Sequence, residues 1–326
     1  MVGKTTLIGI TGATGFVGGA VSRHLSARSE FSVRVAVRGD CAEPDNAVEV
    51  VTIKSIEPDA QWNSFVEGVD VVIHAAARVH VMNDTSQDPE AEYLRINVAG
   101  TLNLADQAAA AGVKRFIFIS SIKVNGDATA STKPFSADQP ANPSDPYGVS
   151  KARAEQALRE LAARTGMEVV IIRPVLVYGP GVKANFLSMM RWLDKGVPLP
   201  LGAINNRRSL VALDNLVDLI VTCIRHPAAA NQTFLVSDGN DLSTTGLLRQ
   251  MAKALGEPAR LIPVPMWLLT TVASLLGRRA FSQRLCGSLQ VDITKTCTML
   301  GWTPPVSVEE AMKKTAQYYL EHKNDE

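Results

Sequence analysis

Along the first half of the chain the apolar residues come in short, nearly unbroken blocks: TTLIGI at 5–10, SVRVAV at 32–37, VEVVTI at 48–53, DVVIHAA at 70–76, RFIFIS at 115–120 and EVVIIRP at 168–174. Blocks rich in β-branched residues and lacking a polar face predict strands covered on both sides, as in a parallel sheet. Between them run longer segments with helical spacing, among them FVGGAVSRHLSARS at 16–29 and AEYLRINVAGTLNLADQAAAAG at 91–112. Strand and helix in repeated alternation, with right-handed crossovers, predict an α/β fold with a doubly wound parallel sheet of the Rossmann type.

After Pro174 the pattern loosens into VYGPG and a Pro- and Gly-containing stretch from Gly196 to Gly202. SLVALD at 209–214, the helical pattern after it, and TFLVSD at 233–238 are expected to return to the main sheet. The chain then divides into a larger domain, 1–174 with about 211–238, and a smaller, mainly C-terminal lobe, about 175–210 with 239–326. A length of 326 residues suits that division. The final amphipathic stretch, 307–323, opens on a capping box from Ser307 to Glu310. The apolar run MWLLTTVASLL at 266–276 is too short to span a bilayer, so a helix packed in the smaller lobe is expected. Its flank, Gly277, Arg278 and Arg279, keeps open a helix lying on a membrane surface or on a partner.

Composition adds mainly exclusions. Lys and Arg number 33 against 32 Asp and Glu, a net charge of +1, which gives no electrostatic footprint for nucleic acid. With 46% hydrophobic and 20% charged residues the chain has the make-up of a folded globule, not of a disordered segment. Cys41, Cys223, Cys286 and Cys297 form no C-x-x-C pair, so neither a zinc site nor a disulfide framework is expected, and a reducing, cytoplasmic setting fits. The first apolar run is short and leads straight into a glycine motif, which does not read as a signal peptide.

That motif, ITGATGFVGG, sets Gly12, Gly15 and Gly18 between the first strand and the first helix. Two glycines let the backbone turn tightly and approach a pyrophosphate at the helix N-terminus, and the third permits close helix-to-sheet contact. The GKTT at 3–6 imitates the end of a P-loop but has no upstream glycine or strand. Where the second strand ends, VRVAVRGD offers Arg38 in place of an acidic residue. A guanidinium there favours a ribose 2′-phosphate and hence NADP(H), while Asp40 keeps NAD(H) possible. Farther on, SDPYGVSKARAEQ puts Tyr147 and Lys151 four apart on one helical face, one strand after Ser120 and Ser121. A phenol with a reference pKa of about 10 needs a lowering of about three units to work as an acid–base group near neutrality. A neighbouring ammonium can supply part of that.

With these residues assembled, the chain resembles the extended short-chain dehydrogenase/reductases, the NAD(P)-dependent sugar-nucleotide epimerases, dehydratases and reductases. The resemblance runs through T-G-A-T-G-F-V-G at 11–18, H-A-A-A at 74–77, Asn97, S-S-x-x-V-x-G at 120–126, Tyr147 and Lys151, and R-P-x-x-V-Y-G-P at 173–180. It implies a catalytic set of Ser121, holding the reacting sugar oxygen, Tyr147 as acid–base residue, and Lys151 holding the nicotinamide ribose and depressing the tyrosine pKa. It also implies cofactor contacts from Gly12, Thr14, Gly15, Phe16, Val17, Gly18, Arg38, Ala75, Ala76, Asn97 and Arg173. Substrate contacts are expected from Ser121, Arg78, His80 and Lys123 near the sugar, and from Asn185 and Arg208 at a nucleotide diphosphate. Arg207 is the neighbour that could replace Arg208, and a loop role is the alternative for His80. No metal is expected, and the assembly implied is a homodimer.

Departures from the family pattern narrow the reaction. Ser55 stands where an Asp near the adenine is usual, and Asn125 where Tyr is frequent. The 4,6-dehydratases carry Asp-Glu after the catalytic hydroxyl residue, whereas Ile122 and Lys123 stand here, and an isoleucine delivers no proton. Two enzyme readings survive. A 4-ketoreductase consumes NADPH, and Arg38 tilts toward it. A UDP-hexose or UDP-HexNAc 4-epimerase returns the hydride to the sugar on bound NAD. The C-terminal segment and ARVHVMND at 77–84 resemble the bacterial polysaccharide enzymes that reduce UDP-2-acetamido-2,6-dideoxy-4-keto-hexoses to UDP-N-acetyl-quinovosamine or UDP-N-acetyl-fucosamine, in O-antigen precursor synthesis. A non-catalytic NADP-binding sensor on the same fold is the third reading.

Overall fold

The computed structural model describes residues 5–39, 48–79, 88–130, 133–275, 277, 283 and 285–323. Seven strands form one sheet in the order β3-β2-β1-β4-β5-β6-β9: β1 Thr6–Thr11, β2 Phe31–Arg38, β3 Glu49–Ile53, β4 Val71–His74, β5 Arg115–Ile119, β6 Glu168–Pro174 and β9 Thr233–Val236. Every neighbouring pair is parallel. The unbroken apolar blocks are explained by what each face meets. In β5, Ile117 and Ile119 belong to the core on one face, and Phe116 and Phe118 to the core on the other. The first face is covered by α1 (Phe16–Ser26) and by α7 (Leu213–Arg225), which buries Leu213, Leu216, Val217, Leu219, Ile220, Cys223 and Ile224 at helical spacing. The second is covered by the short α2 (Asn63–Val66), by α4 (Thr101–Ala110) and by α5 (Pro146–Thr165). Helix α4 is approached through α3 (Pro89–Tyr93) and a π-helical turn, Leu94–Gly100.

A third apolar core belongs to the smaller lobe, where α6 (Ala184–Asp194), α8 (Thr244–Leu255) and the C-terminal helix pack through Phe186, Met190, Leu248, Met251, Met312 and Ala316. This lobe also holds α9 (Met266–Leu275) and α11 (Val308–His322), the C-terminal helix, whereas α10 (Thr294–Leu300) packs on β9, with Thr296 donating to Leu235 O and Leu300 in the first core. Ser307 caps α11 by accepting from Glu310 N, as the capping-box spacing leads one to expect. One expectation is corrected. TFLVSD supplies β9 to the main sheet, but SLVALD does not join it. Its Leu210–Ala212 forms β8, parallel to β7 (Leu176–Tyr178) in a separate two-stranded sheet. The strand is three residues long, and Asp238 just past β9 holds it at that position by accepting from Ala212 N while donating its own N–H to Leu210 O.

Candidate active site at the sheet switch point

The strand order reverses between β1 and β4, so the crevice at their C-terminal ends is where an open α/β sheet takes a ligand. Thr11 and His74 are paired there across the two strands. The Thr11 hydroxyl shares a 2.7 Å hydrogen bond with His74 Nδ1, and Nε2 shares one of 3.0 Å with the Thr101 hydroxyl. Burial, with a smaller contribution from the Lys151 charge, lowers the His74 pKa to about 3, so the ring is neutral. This buried clasp holds the ends of β1 and β4 in register.

The glycines next to it are explained by contact. Gly12 has φ +75°, and a Cβ on it would stand 2.7 Å from Ala76 N. A Cβ on Gly18 would stand 2.2 Å from Gly12 O, so the first turn of α1 is pressed against the glycine turn. No side chain caps α1 at Gly15. A turn this bare, leading into an uncapped helix start beside Ala75 and Ala76, has the form that lets a pyrophosphate approach backbone N–H groups, and the residues fit a dinucleotide. Thr14, Phe16 and Val17 lie on this turn and the start of α1, and Arg38 ends β2 at the exposed rim.

The Ser121 and Tyr147 hydroxyls meet because two chain segments pack closely. Ser121 caps a 3-10 turn, Ile122–Val124, accepting from Lys123 N at 3.2 Å. Helix α5 begins opposite, with Pro146 in its first turn and Asp145 as N-cap accepting from Gly148 N at 2.7 Å. A Cβ on Gly148 would lie 2.8 Å from Lys123 O, so only glycine lets α5 come this near. Tyr147 is thereby brought into a hydrogen bond with Ser121. Burial, then the charge of Asp145 and the neighbouring Tyr93, push the Tyr147 phenol up to about 12, against the lowering effect of Ser121.

The expected part of Lys151 in lowering that pKa is not seen in this arrangement. Its Nζ donates to Ile119 O at 2.9 Å and lies 4.3 Å above the Phe118 ring, and burial lowers its own pKa to about 7. Asn97, expected at the cofactor, acts as a clamp within the protein. It lies in the π-helical turn, accepts from Arg78 N, and donates to Arg78 O and to Ser150 Oγ, which in turn donates to Tyr147 O. The chain after β4 and the start of α5 are tied together through its side chain. Arg78 stacks 5.8 Å from the Tyr93 ring centroid, and Tyr93 meets Tyr147 edge-on at 6.2 Å.

Other expected contacts are placed differently. Arg173, expected at the cofactor, is 3% exposed and forms a bidentate pair with Glu155 at 2.8 and 2.6 Å, while its Nη1 donates to Asn125 Oδ1. Ser120 donates to the same carboxylate at 2.6 Å. A guanidinium so buried has its donors directed at protein acceptors. It also accounts for Asn125, whose amide accepts from Arg173 and donates to Ser136 O. Lys123 pairs with Asp127 and with Asp145, which ties the 3-10 turn to the N-cap of α5. Arg208 donates to Gly287 O at 3.2 Å, and burial lowers its pKa. Asn185 is exposed near the start of α6, and His80 and Asp40 lie outside the described residues. Among the described residues no His, Cys, Asp and Glu cluster could hold a metal.

A family model for the NAD dependent epimerase/dehydratase family matches residues 8–237. The chain belongs to that family. Its members are NAD(P)-dependent sugar-nucleotide epimerases, dehydratases and reductases. This family member is 49% identical over 316 residues to a UDP-glucose 4-epimerase of Vibrio cholerae, covering 97% of this chain and 96% of that protein. It is 26% identical over 327 residues to the N-acetyl-alpha-D-glucosaminyl-diphospho-ditrans,octacis-undecaprenol 4-epimerase of Escherichia coli O157:H7, covering 96% and 95%. Among solved structures, a UDP-glucuronic acid 4-epimerase from Bacillus cereus in complex with NAD has the same fold, with a TM-score of 0.78, 20% identity and coverage of 98% and 99%. In this family member Gly148, Asp145, Tyr93 and Glu155 shape the site although sequence reading passed over them. The Asp-Pro before Tyr147, an N-cap followed by a first-turn proline, was the available signal for Asp145.

Proposed function

We propose that the protein carries out redox chemistry at C4 of a UDP-linked 6-deoxy-N-acetylhexosamine, as the NADPH-dependent reductase of its 4-ketone in surface polysaccharide (O-antigen) precursor synthesis. The observation that carries the reading is the placement of the Tyr147 phenol in a hydrogen bond with Ser121, where Gly148 lets α5 approach the 3-10 turn. Two hydroxyls so placed can hold a ketone oxygen and deliver a proton to it, as reduction requires. When bound, the nicotinamide supplies the hydride to the sugar C4. Ser121 holds the carbonyl oxygen and steadies the charge that develops on it, and Tyr147 protonates that oxygen. Gly12, Gly15 and Gly18 with the start of α1 would hold the pyrophosphate, Arg38 the 2′-phosphate, and Arg208 the diphosphate of the substrate. Ile122 after Ser121 argues against dehydration. The larger and smaller lobes would divide cofactor from substrate binding.

A second reading, a UDP-hexose or UDP-HexNAc 4-epimerase on bound NAD, is favoured by the similarity to the Vibrio cholerae epimerase. One experiment separates them: the purified protein is given NADPH with the UDP-4-keto-6-deoxy-N-acetylhexosamine, and separately UDP-glucose or UDP-N-acetylglucosamine alone. The reductase reading expects NADPH oxidation equal to the C4 alcohol formed, followed by NMR. Interconversion of C4 epimers with no net cofactor change establishes the epimerase instead. Tight NADPH binding with no turnover of either substrate overturns both in favour of a sensor.

A further inference from the structure

Helix α9 buries none of its residues. It meets the smaller lobe's core through Leu269, while Leu268, Val272 and Leu275, spaced four and three apart, face outward and are 39%, 45% and 82% exposed. Met266, Trp267 at 68% exposure, and Ile262 just before the helix widen the patch. The helix's two consecutive threonines do not break it up. Thr270 and Thr271 both donate their hydroxyls to Trp267 O, at 2.9 and 2.8 Å, so these polar groups are turned onto the backbone. A contiguous apolar face of this kind marks an interaction surface.

The chain segment that carries it has charge of one sign. Between Glu257 and Asp292 the chain has no acidic residue and four arginines, Arg260, Arg278, Arg279 and Arg284. Arg260 is exposed, and its guanidinium lies beside Gly196, next to the exposed Lys195. Arg278, Arg279 and Arg284 lie outside the described residues.

We propose that α9 docks the protein in-plane on an anionic phospholipid bilayer, its apolar face entering the interface and the exposed Arg260 and Lys195 meeting lipid phosphates. A ten-residue helix rises only about 15 Å against a hydrocarbon core of about 30 Å, so it lies on a bilayer and does not cross it. No helix among the described residues is long and apolar enough to span. Trp267 suits the headgroup level, where an indole has an apolar body and one polar N–H. A second copy of this chain is the poorer occupant, because a two-fold contact sets the same patch against itself and brings cations against cations. Anionic lipid neutralises them. The inference rests on α9 and its charge, and not on the proposed reaction.

The test is co-sedimentation of the full chain with vesicles of phosphatidylcholine alone and of phosphatidylcholine mixed with phosphatidylglycerol, with light scattering of the protein in solution. The expected result is partition onto the mixed vesicles that weakens with added salt and falls roughly tenfold in the double variant Trp267→Glu, Leu275→Glu. The thermal melting and NADPH titration of that variant match wild type, since both residues lie on the solvent face. Trp267→Ala, which adds no charge, shows a smaller loss in the same direction. The proposal is overturned if wild type ignores the mixed vesicles, if the variants partition as wild type does, or if they dissociate an oligomer while lipid partition stays unchanged.

Discussion

Tyr147 stands between opposed influences: burial and Asp145 favour the neutral phenol, and the hydrogen bond with Ser121 favours the phenolate. Replacing it by Phe removes the proton source and leaves the packing with Tyr93, so turnover is expected to fall by roughly two to four orders of magnitude. NADPH affinity, read by fluorescence titration, is expected to change little. Arg38→Asp puts a carboxylate where a 2′-phosphate would be held, and the ratio of NADPH to NADH efficiency is expected to drop by at least about tenfold. If that ratio does not move, Arg38 does not select the cofactor. Arg173 obeys a different logic. Its partner Glu155 is 1% exposed and would keep only Arg159 and Ser120, so Arg173→Met is expected to cost about 2–3 kcal/mol in urea unfolding. The cofactor KM of the protein that remains folded is expected to stay near wild type, and a large KM rise without loss of stability would return Arg173 to the cofactor site. Ser121 and Tyr147 were legible as candidates because their spacing in the chain is distinctive. The role of Arg173 was not, because its partners Glu155 and Asn125 lie 18 residues before it on α5 and 48 residues before it.

At the scale of elements, the site is made by how closely α5 and α1 approach their neighbours. Gly148 permits the first of these approaches. Gly148→Ala sets a methyl 2.8 Å from the Lys123 carbonyl, and either α5 or the Ser121 turn must move. Because displacements near 1 Å can lower rates about a hundredfold, kcat is expected to fall by about tenfold or more, beyond any change in stability. Unchanged kcat with lowered melting temperature would show that Gly148 serves packing alone. The helices and six of the seven main-sheet strands follow the apolar blocks of the first half closely, because those strands are flanked by core on both faces and their residues need no knowledge of the partner. β8 was misassigned for the opposite reason. Three apolar residues carry no record of whether β6 or β7 lies beside them, and Asp238 makes that choice from 26 residues farther on.

For the whole molecule, the buried clasp of Thr11, His74 and Thr101 links the fold's stability to pH. The folded-state pKa of His74 is about 3 against 6.5 for the unfolded chain, so between these values the unfolded state binds more protons. Stability from this group is fully present above about 6.5 and is lost as pH falls toward 3. Lys151, at about 7 when folded against 10.5, works in the same direction at higher pH, so its contribution grows from about 7 upward. Urea midpoints are expected to fall steadily from pH 7 to pH 4, and His74→Gln is expected to flatten that fall while lowering stability at pH 7. An equally steep fall in the variant would assign the acid sensitivity to other groups.

The sequence by itself determined the strand pattern, the doubly wound sheet, the glycine turn and the pair of hydroxyls, because each depends on residues near one another in the chain. Tertiary structure alone decided which partners within the protein the polar residues near the site take. Arg173, Asn97, Lys123 and Lys151 are polar residues beside catalytic motifs, and nothing in their spacing tells a ligand contact from a structural one. That distinction follows from desolvation. A buried polar group must find a partner wherever the fold supplies one, and for Arg173, Asn97 and Lys151 the partners, Glu155, Arg78 and the Ile119 carbonyl, come from other elements of the chain, as Asp145 does for the partly buried Lys123.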